Sequence, residues 1–151
     1  TGYFCIFSSK HFKLIIIIDT EMSKKFTLEE AEGKIQEIKP ILIEVKETFR
    51  RYSELSKKAQ ELITNFAENP FDKENIFEKI IDEREKFVFL IKKLNDEGVI
   101  LRDIEMGLVN FLSEIDGEDV YLCWKTSDEK IAYWHRVNED YSKRKPLNRK
   151  K

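Results

Sequence analysis

The chain has 151 residues, with 27 Lys and Arg against 29 Asp and Glu, which is enough for one domain with a single modest core. Its net charge of −2 supplies no global field for nucleic acid or a membrane surface. Two cysteines without a CxxC spacing exclude a disulfide framework and point to a reducing, cytoplasmic setting, while a 37% charged composition rich in Lys and Glu is of the kind enriched in thermophiles.

The first 21 residues differ from the rest. Tyr3 to Phe7 and Leu14 to Ile18 are short apolar runs separated by polar residues. Neither approaches the roughly 20 apolar residues of a membrane span, and no secretory pattern surrounds them. The segment reads as an extension, with Met22 the native start. The alternative is that Leu14–Ile18 adds an edge strand to the domain.

Thr27 and Glu30 form a capping box, in which hydroxyl and carboxylate each satisfy a free backbone N–H. Leu28, Ala31, Ile35, Ile38, Leu42, Val45, Phe49, Tyr52, Ala59, Ile63 and Phe66 then recur at spacings of three and four, interrupted only by Ser56. This seam predicts one long helix packed in coiled-coil fashion. Pro40 lies on the outward side, where it kinks the helix without ending it. Asn69-Pro70 stops this helix, and Asp72 is placed to cap the next. Phe77, Ile80, Phe87, Ile91 and Leu94 continue the spacing with Arg84 as the exception, until Gly98 ends the second helix.

The arms of this hairpin are unequal, about 58 Å and about 36 Å long at 1.5 Å per residue. Leu28 to Ile38 therefore overhang without a helical partner, and the chain after Gly98 must cover them. Strands are predicted at Val99–Ile104, Gly107–Ile115, Glu118–Lys125 and Lys130–His135, with Asp116-Gly117 as a two-residue hairpin turn. The expected architecture is α+β: a helical hairpin over 27–98, an antiparallel β-meander of three to four strands over 99–135 and a C-terminal segment over 136–147. These form a single domain, 22–147, followed by a basic tail at 148–151.

Alternation along the strands assigns faces. With Ile115 opposite Glu118, Asn110 faces Cys123 and Val109 faces Trp124. With Lys125 opposite Lys130, Cys123 faces Ala132 and Tyr121 faces Trp134. Val109, Phe111, Val120, Leu122, Trp124, Ile131 and Tyr133 then form a core face. Asn110, Tyr121, Cys123, Lys125 and Trp134 share the other, a mixture unsuited to a second core.

Gly107-Leu108-Val109-Asn110-Phe111, Asp116-Gly117, Val120-Tyr121-Leu122-Cys123-Trp124, Ile131-Ala132-Tyr133-Trp134-His135 and Arg144-Lys145-Pro146-Leu147 resemble the signature of a prokaryotic family, domain of unknown function 2203. Phe26-Thr27-Leu28-Glu29-Glu30-Ala31 resembles its opening, so the similarity spans 26–147. The resemblance implies no activity, cofactor or catalytic residue. The chain departs from the pattern at Asn110, where an aspartate is expected, at Ser127-Asp128 for a glycine–glutamate step, and at Lys143 for a glycine.

Two functional readings follow. In the favoured one, the domain is non-catalytic and binds a protein or small molecule through Asn110, Tyr121, Cys123, Lys125 and Trp134, with Arg144 beside them, and through the helical hairpin, which also offers a homodimer surface. In the alternative, a small enzyme or metal-binding protein works around Cys123 and His135, with Asp103, Glu105 and Asp128 as further metal ligands. Cys123 and His135 are the sole thiol–imidazole pair after Met22, but the assigned register puts them on opposite faces. Residues 143–151 contain six basic side chains, leaving −8 on the rest, a pattern suited to weak RNA contact or to docking of Arg144–Leu147 on the domain itself.

Overall fold

The computed structural model describes residues 2–8, 12–18, 24–64 and 70–148. Gly2–Ser8 (β1) and Phe12–Ile18 (β2) pair antiparallel in a two-stranded sheet of their own. The apolar run Leu14–Ile18 is thus a strand, but its ladder partner is β1 rather than the main sheet. Met22, Phe66, Asn69 and the last three basic residues lie outside the described residues.

Helix α1 spans Leu28–Thr64 and passes through Pro40 without ending. The capping box forms as expected: Thr27 N–H donates to Glu30 Oε2 at 2.8 Å, and Glu30 N–H donates to Thr27 Oγ1 at 3.2 Å. Helix α2 spans Pro70–Asp96. Proline suits the first helical position because the N–H it lacks would have no partner there. Asp72 consequently lies inside the first turn and does not cap it. At the other end Gly98 adopts φ +82° and its N–H donates to the Asn95 carbonyl at 2.8 Å, closing the helix in the left-handed conformation glycine favours.

The seam holds near the sheet and shifts toward the hairpin tip. Ala31, Ile35, Ile38, Leu42, Val45 and Phe49 of α1 are buried, as are Phe87, Leu90, Ile91 and Leu94 of α2. Farther out, Ile63 is 57% exposed and Phe77 is 44% exposed, whereas Ala59 and Ile76 are buried. Neither Ile63 nor Phe77 is therefore a core position. Between the buried and exposed stretches of α2, Glu83 is half-buried and Arg84 is exposed. Glu83 Oε1 accepts from Arg51 Nε at 2.8 Å, and Arg51 Nη2 also donates to the fully buried Thr48 hydroxyl at 3.1 Å.

After Gly98 the chain forms five antiparallel strands in sequential order: β3 (Val99–Asp103), β4 (Leu108–Ile115), β5 (Glu118–Trp124), β6 (Tyr133–Arg136) and β7 (Lys145–Pro146). The meander therefore has one strand more than expected. Asp116 and Gly117 both have positive φ, 52° and 79°, as a two-residue hairpin of the twist-matching type requires. One sheet face lies on the overhanging start of α1. Val99, Leu101, Val109, Phe111, Leu122 and Trp124 join Phe26, Ala31, Ile35 and Ile38 in one core.

Phe26 locks this layer. Its N–H donates to the Leu112 carbonyl at 2.8 Å, its carbonyl accepts from Ser113 Oγ at 2.6 Å, and its ring meets Phe111 edge-on at 5.4 Å. Lys25 reaches Glu114 at 2.8 Å and Asp119 at 2.6 Å, while Lys34 joins Glu37 and Glu97.

Two stability tests follow from this packing. Leu94→Ala should cost about 2–5 kcal/mol, because it empties a fully buried position, whereas exposed Ile63→Asp should change stability by about 0.5 kcal/mol or less. Urea melts of both variants measure the contrast. The second test is acid. Hydrogen bonds from Thr27, Lys86 and Lys34 hold the carboxyls of Glu30, Glu44 and Glu97 below the ordinary glutamate value of 4.5. Their contribution is complete above that value and lost as pH falls through the lower values of the folded chain. The melting temperature should therefore hold from neutrality down to about pH 5 and fall below it.

Candidate functional site

The β4–β5 register is the expected one: Val109 pairs with Trp124 and Asn110 with Cys123. The β5–β6 register is not. Cys123 pairs with Tyr133, Leu122 with Trp134 and Tyr121 with His135, one residue away from the expected alignment. The loop after Trp124 is responsible. Asp128 folds it tightly, its N–H donating to the Lys125 carbonyl at 2.9 Å, its carboxylate accepting from Lys125 N–H at 3.3 Å and its carbonyl accepting from Trp124 Nε1 at 3.0 Å. Ile131 then leaves the ladder for the core, fully buried, with its N–H donating to Glu32 Oε1 of α1 at 3.3 Å. Pairing resumes only at Tyr133.

A one-residue slip moves every β6 side chain to the opposite face. Trp134, expected on the outer face, instead packs against the core, with the Lys145 ammonium 5.1 Å from its ring centre. Tyr133, expected in the core, is exposed and outward. His135 joins Tyr121 and Cys123 on the outer face, its ring 5.6 Å from that of Tyr121. The expected separation of Cys123 from His135 is overturned.

The outer face contains a polar cluster. Asn110 is 1% exposed and His135 is 3% exposed, so both side chains need partners. With its carbonyl oxygen turned toward Arg102, the Asn110 amide accepts from Arg102 Nε at 3.0 Å and its amine donates to the Val109 carbonyl at 3.2 Å, while His135 Nε2 lies 3.3 Å from the amide. His135 Nδ1 lies 2.8 Å from the Arg136 carbonyl, to which it donates. Arg102 lies over the Tyr121 ring at 5.0 Å, and burial lowers its guanidinium pKa from the usual range. From the other edge Arg144 lies 5.1 Å from the Tyr133 ring and 4.4 Å from the Tyr141 ring.

The other candidates occupy different places. Lys125 is in the loop, 4.0 Å from Asp128. Asp103 accepts from Met106 N–H at 2.8 Å in the β3–β4 turn, and Glu105 lies 3.6 Å from Lys46. Among the described residues no three His, Cys, Asp or Glu side chains come together as a metal ion would require.

Cys123 is 2% exposed, and burial pushes its thiol up to about 12 despite Arg102 and Arg144 nearby. Such a thiol carries almost no thiolate at neutral pH and is a poor nucleophile. Part of the basic run docks on the domain: Lys145-Pro146 is β7, and Leu147 N–H donates to the Ala132 carbonyl at 2.9 Å. Arg102 and Tyr133 were not singled out from the sequence. Arg102 lies where β3 bulges between Leu101 and Asp103, an irregularity that alternation alone does not reveal.

The sequence model of a family described as an uncharacterized conserved protein, DUF2203, matches residues 24–147. No curated protein and no solved structure matches the chain.

Two outcomes check this arrangement. Trp124→Ala should cost about 3–5 kcal/mol, and Trp134→Ala should also destabilise the fold, by less because the ring is partly exposed. Cys123 should resist iodoacetamide at mildly alkaline pH and react once denatured, with peptide mass spectrometry separating its label from that of Cys5.

Proposed function

The chain belongs to the DUF2203 family, and we propose that within it this protein is a non-catalytic domain that binds a small molecule or the polar end of a partner through the outer face of its sheet. The observation that carries this reading is the Asn110–His135–Arg102 network. A second apolar layer would be the inexpensive way to finish a sheet face, and buried polar side chains are retained only when fully partnered. Here they lie beneath aromatic rings that offer stacking surfaces for a planar ligand.

The chemistry of the face favours binding over turnover. Its thiol is held protonated by burial, and His135 Nδ1 donates to the Arg136 backbone carbonyl rather than to a carboxylate. A cytoplasmic location fits a buried, reduced Cys123 and the fact that, among the described residues, no helix is long and apolar enough to cross a membrane. The hairpin supports a second contact: Phe77, Ile81 and Val88 are exposed along one side of α2, a stripe suited to a second copy of the chain.

The binding role is tested by screening the full chain against a library of small polar metabolites and aromatic fragments, using ligand-observed NMR. Hits should lose their signal with Tyr121→Ala and keep it with Cys123→Ala. If a metabolite is consumed by the wild type and spared by Cys123→Ala, the domain is an enzyme and this reading fails.

A further inference from the structure

We infer that two copies of this chain pair through α2, antiparallel, about a two-fold axis that passes between Arg84 and Glu85. This rests on the second-copy contact proposed above and specifies its geometry; it is independent of what the outer face of the sheet binds.

Helix α2 carries two apolar rows, and the hairpin buries only one. Ile76, Phe87, Leu90 and Leu94 are buried. Phe77, Ile81 and Val88 are exposed, at spacings of four and seven that return to one side of a helix with about 3.6 residues per turn. With the exposed Arg84 between them, the row alternates by four and three, as a coiled-coil seam does. Phe77 and Arg84, positions of the expected seam, thus belong to a second row that α1 does not use. Helical geometry puts this row on the opposite side of α2 from Glu83 and Lys86, whose ion pairs with Arg51 and Glu44 join α2 to α1.

The charges beside the row select the partner. Glu78, Glu85 and Lys92 recur at intervals of seven along one flank. Parallel copies would set each of these, and Arg84 as well, against its own equal. Antiparallel copies centred between Arg84 and Glu85 set Ile81 against Val88, Glu78 at the level of Lys92, and Arg84 beside Glu85. Each of these contacts occurs twice by symmetry. The Lys92 stem then also covers the exposed Phe77 ring. A surface complementary to its own reverse is what a closed two-fold dimer requires. Among the described residues Glu78, Arg84 and Glu85 make no ion pair. That of Lys92 with Asp96 is well exposed, so it is exchanged for a new partner at little cost.

The test is sedimentation velocity of the full chain at rising concentration, with disulfide cross-linking to read orientation. The wild type should sediment as a dimer. Ile81→Asp should give a monomer with unchanged circular dichroism, because the position is exposed in the single chain. Glu78→Lys and Lys92→Glu should each weaken association about tenfold, two contacts being lost by symmetry, and the double variant should restore it. A variant carrying both Glu78→Cys and Lys92→Cys places its thiols about 21 Å apart on one helix, too far to bridge within a chain. Oxidation should join position 78 of one copy to position 92 of the other, read by peptide mass spectrometry. Links of 78 to 78 and 92 to 92 would overturn the antiparallel geometry and leave the second-copy contact standing. A monomer at every concentration would remove both. So would a dimer that Ile81→Asp leaves intact, since this row would then not be its interface.

Discussion

The structure depends on the mismatch between its two helices. At 37 and 27 residues, α1 outruns α2 by ten residues, about 15 Å, and those extra turns present Ala31, Ile35 and Ile38 with no helix to meet them. An apolar stripe left in water costs about 25 cal/mol for each Å² exposed, and the hairpin alone has nothing to cover it. Gly98 turns the chain back at that level, and the sheet becomes the missing surface. Phe26 secures the join: it lies against Phe111 on one side, and a Cβ at Gly98 would stand 2.9 Å from its ring on another.

With one face committed to α1, the sheet has a second face, and among the described residues there is no further helix to put on it. That asymmetry is what frees the outer side for function. Asn110, Cys123 and His135 are buried there among the inward-leaning arginines and the aromatic rings, not beneath another layer of regular helix. Helix capping, burial of the α1 stripe and the placing of the polar cluster are thus steps of one sequence of causes.

How much of this is legible in the sequence follows the range of the interactions. The capping box, the Gly98 stop, the Asp116-Gly117 turn and the β4–β5 register are local, and each was readable from a few neighbouring residues. The overhang and its cover were readable because helical spacing and length are additive. The seam does not extend to Ile63 and Phe77, which are exposed, and the Arg51–Glu83 pair that joins the arms spans 32 positions of sequence. The β6 register failed at long range. Ile131 is drawn out of the ladder by the core and by Glu32, 99 positions away, and no property of the loop itself announces that.

The consequences of that last failure were large because strand periodicity is two. A miscount of one residue exchanged Trp134 for His135 and Tyr133, turning an apparent aromatic reader into a polar, arginine-framed one. It also brought imidazole and thiol to the same face, the arrangement that elsewhere makes a nucleophile. Position brings the two groups to one face, and solvation sets the state of the thiol. Cys123 lies 2% exposed with its sulfur 3.7 Å from the Tyr121 carbonyl, an environment that keeps the proton on the thiol. The imidazole is occupied at both nitrogens, by the Arg136 carbonyl and the Asn110 amide. The contacts of Asn110 with His135 and Arg102 tie the three side chains together.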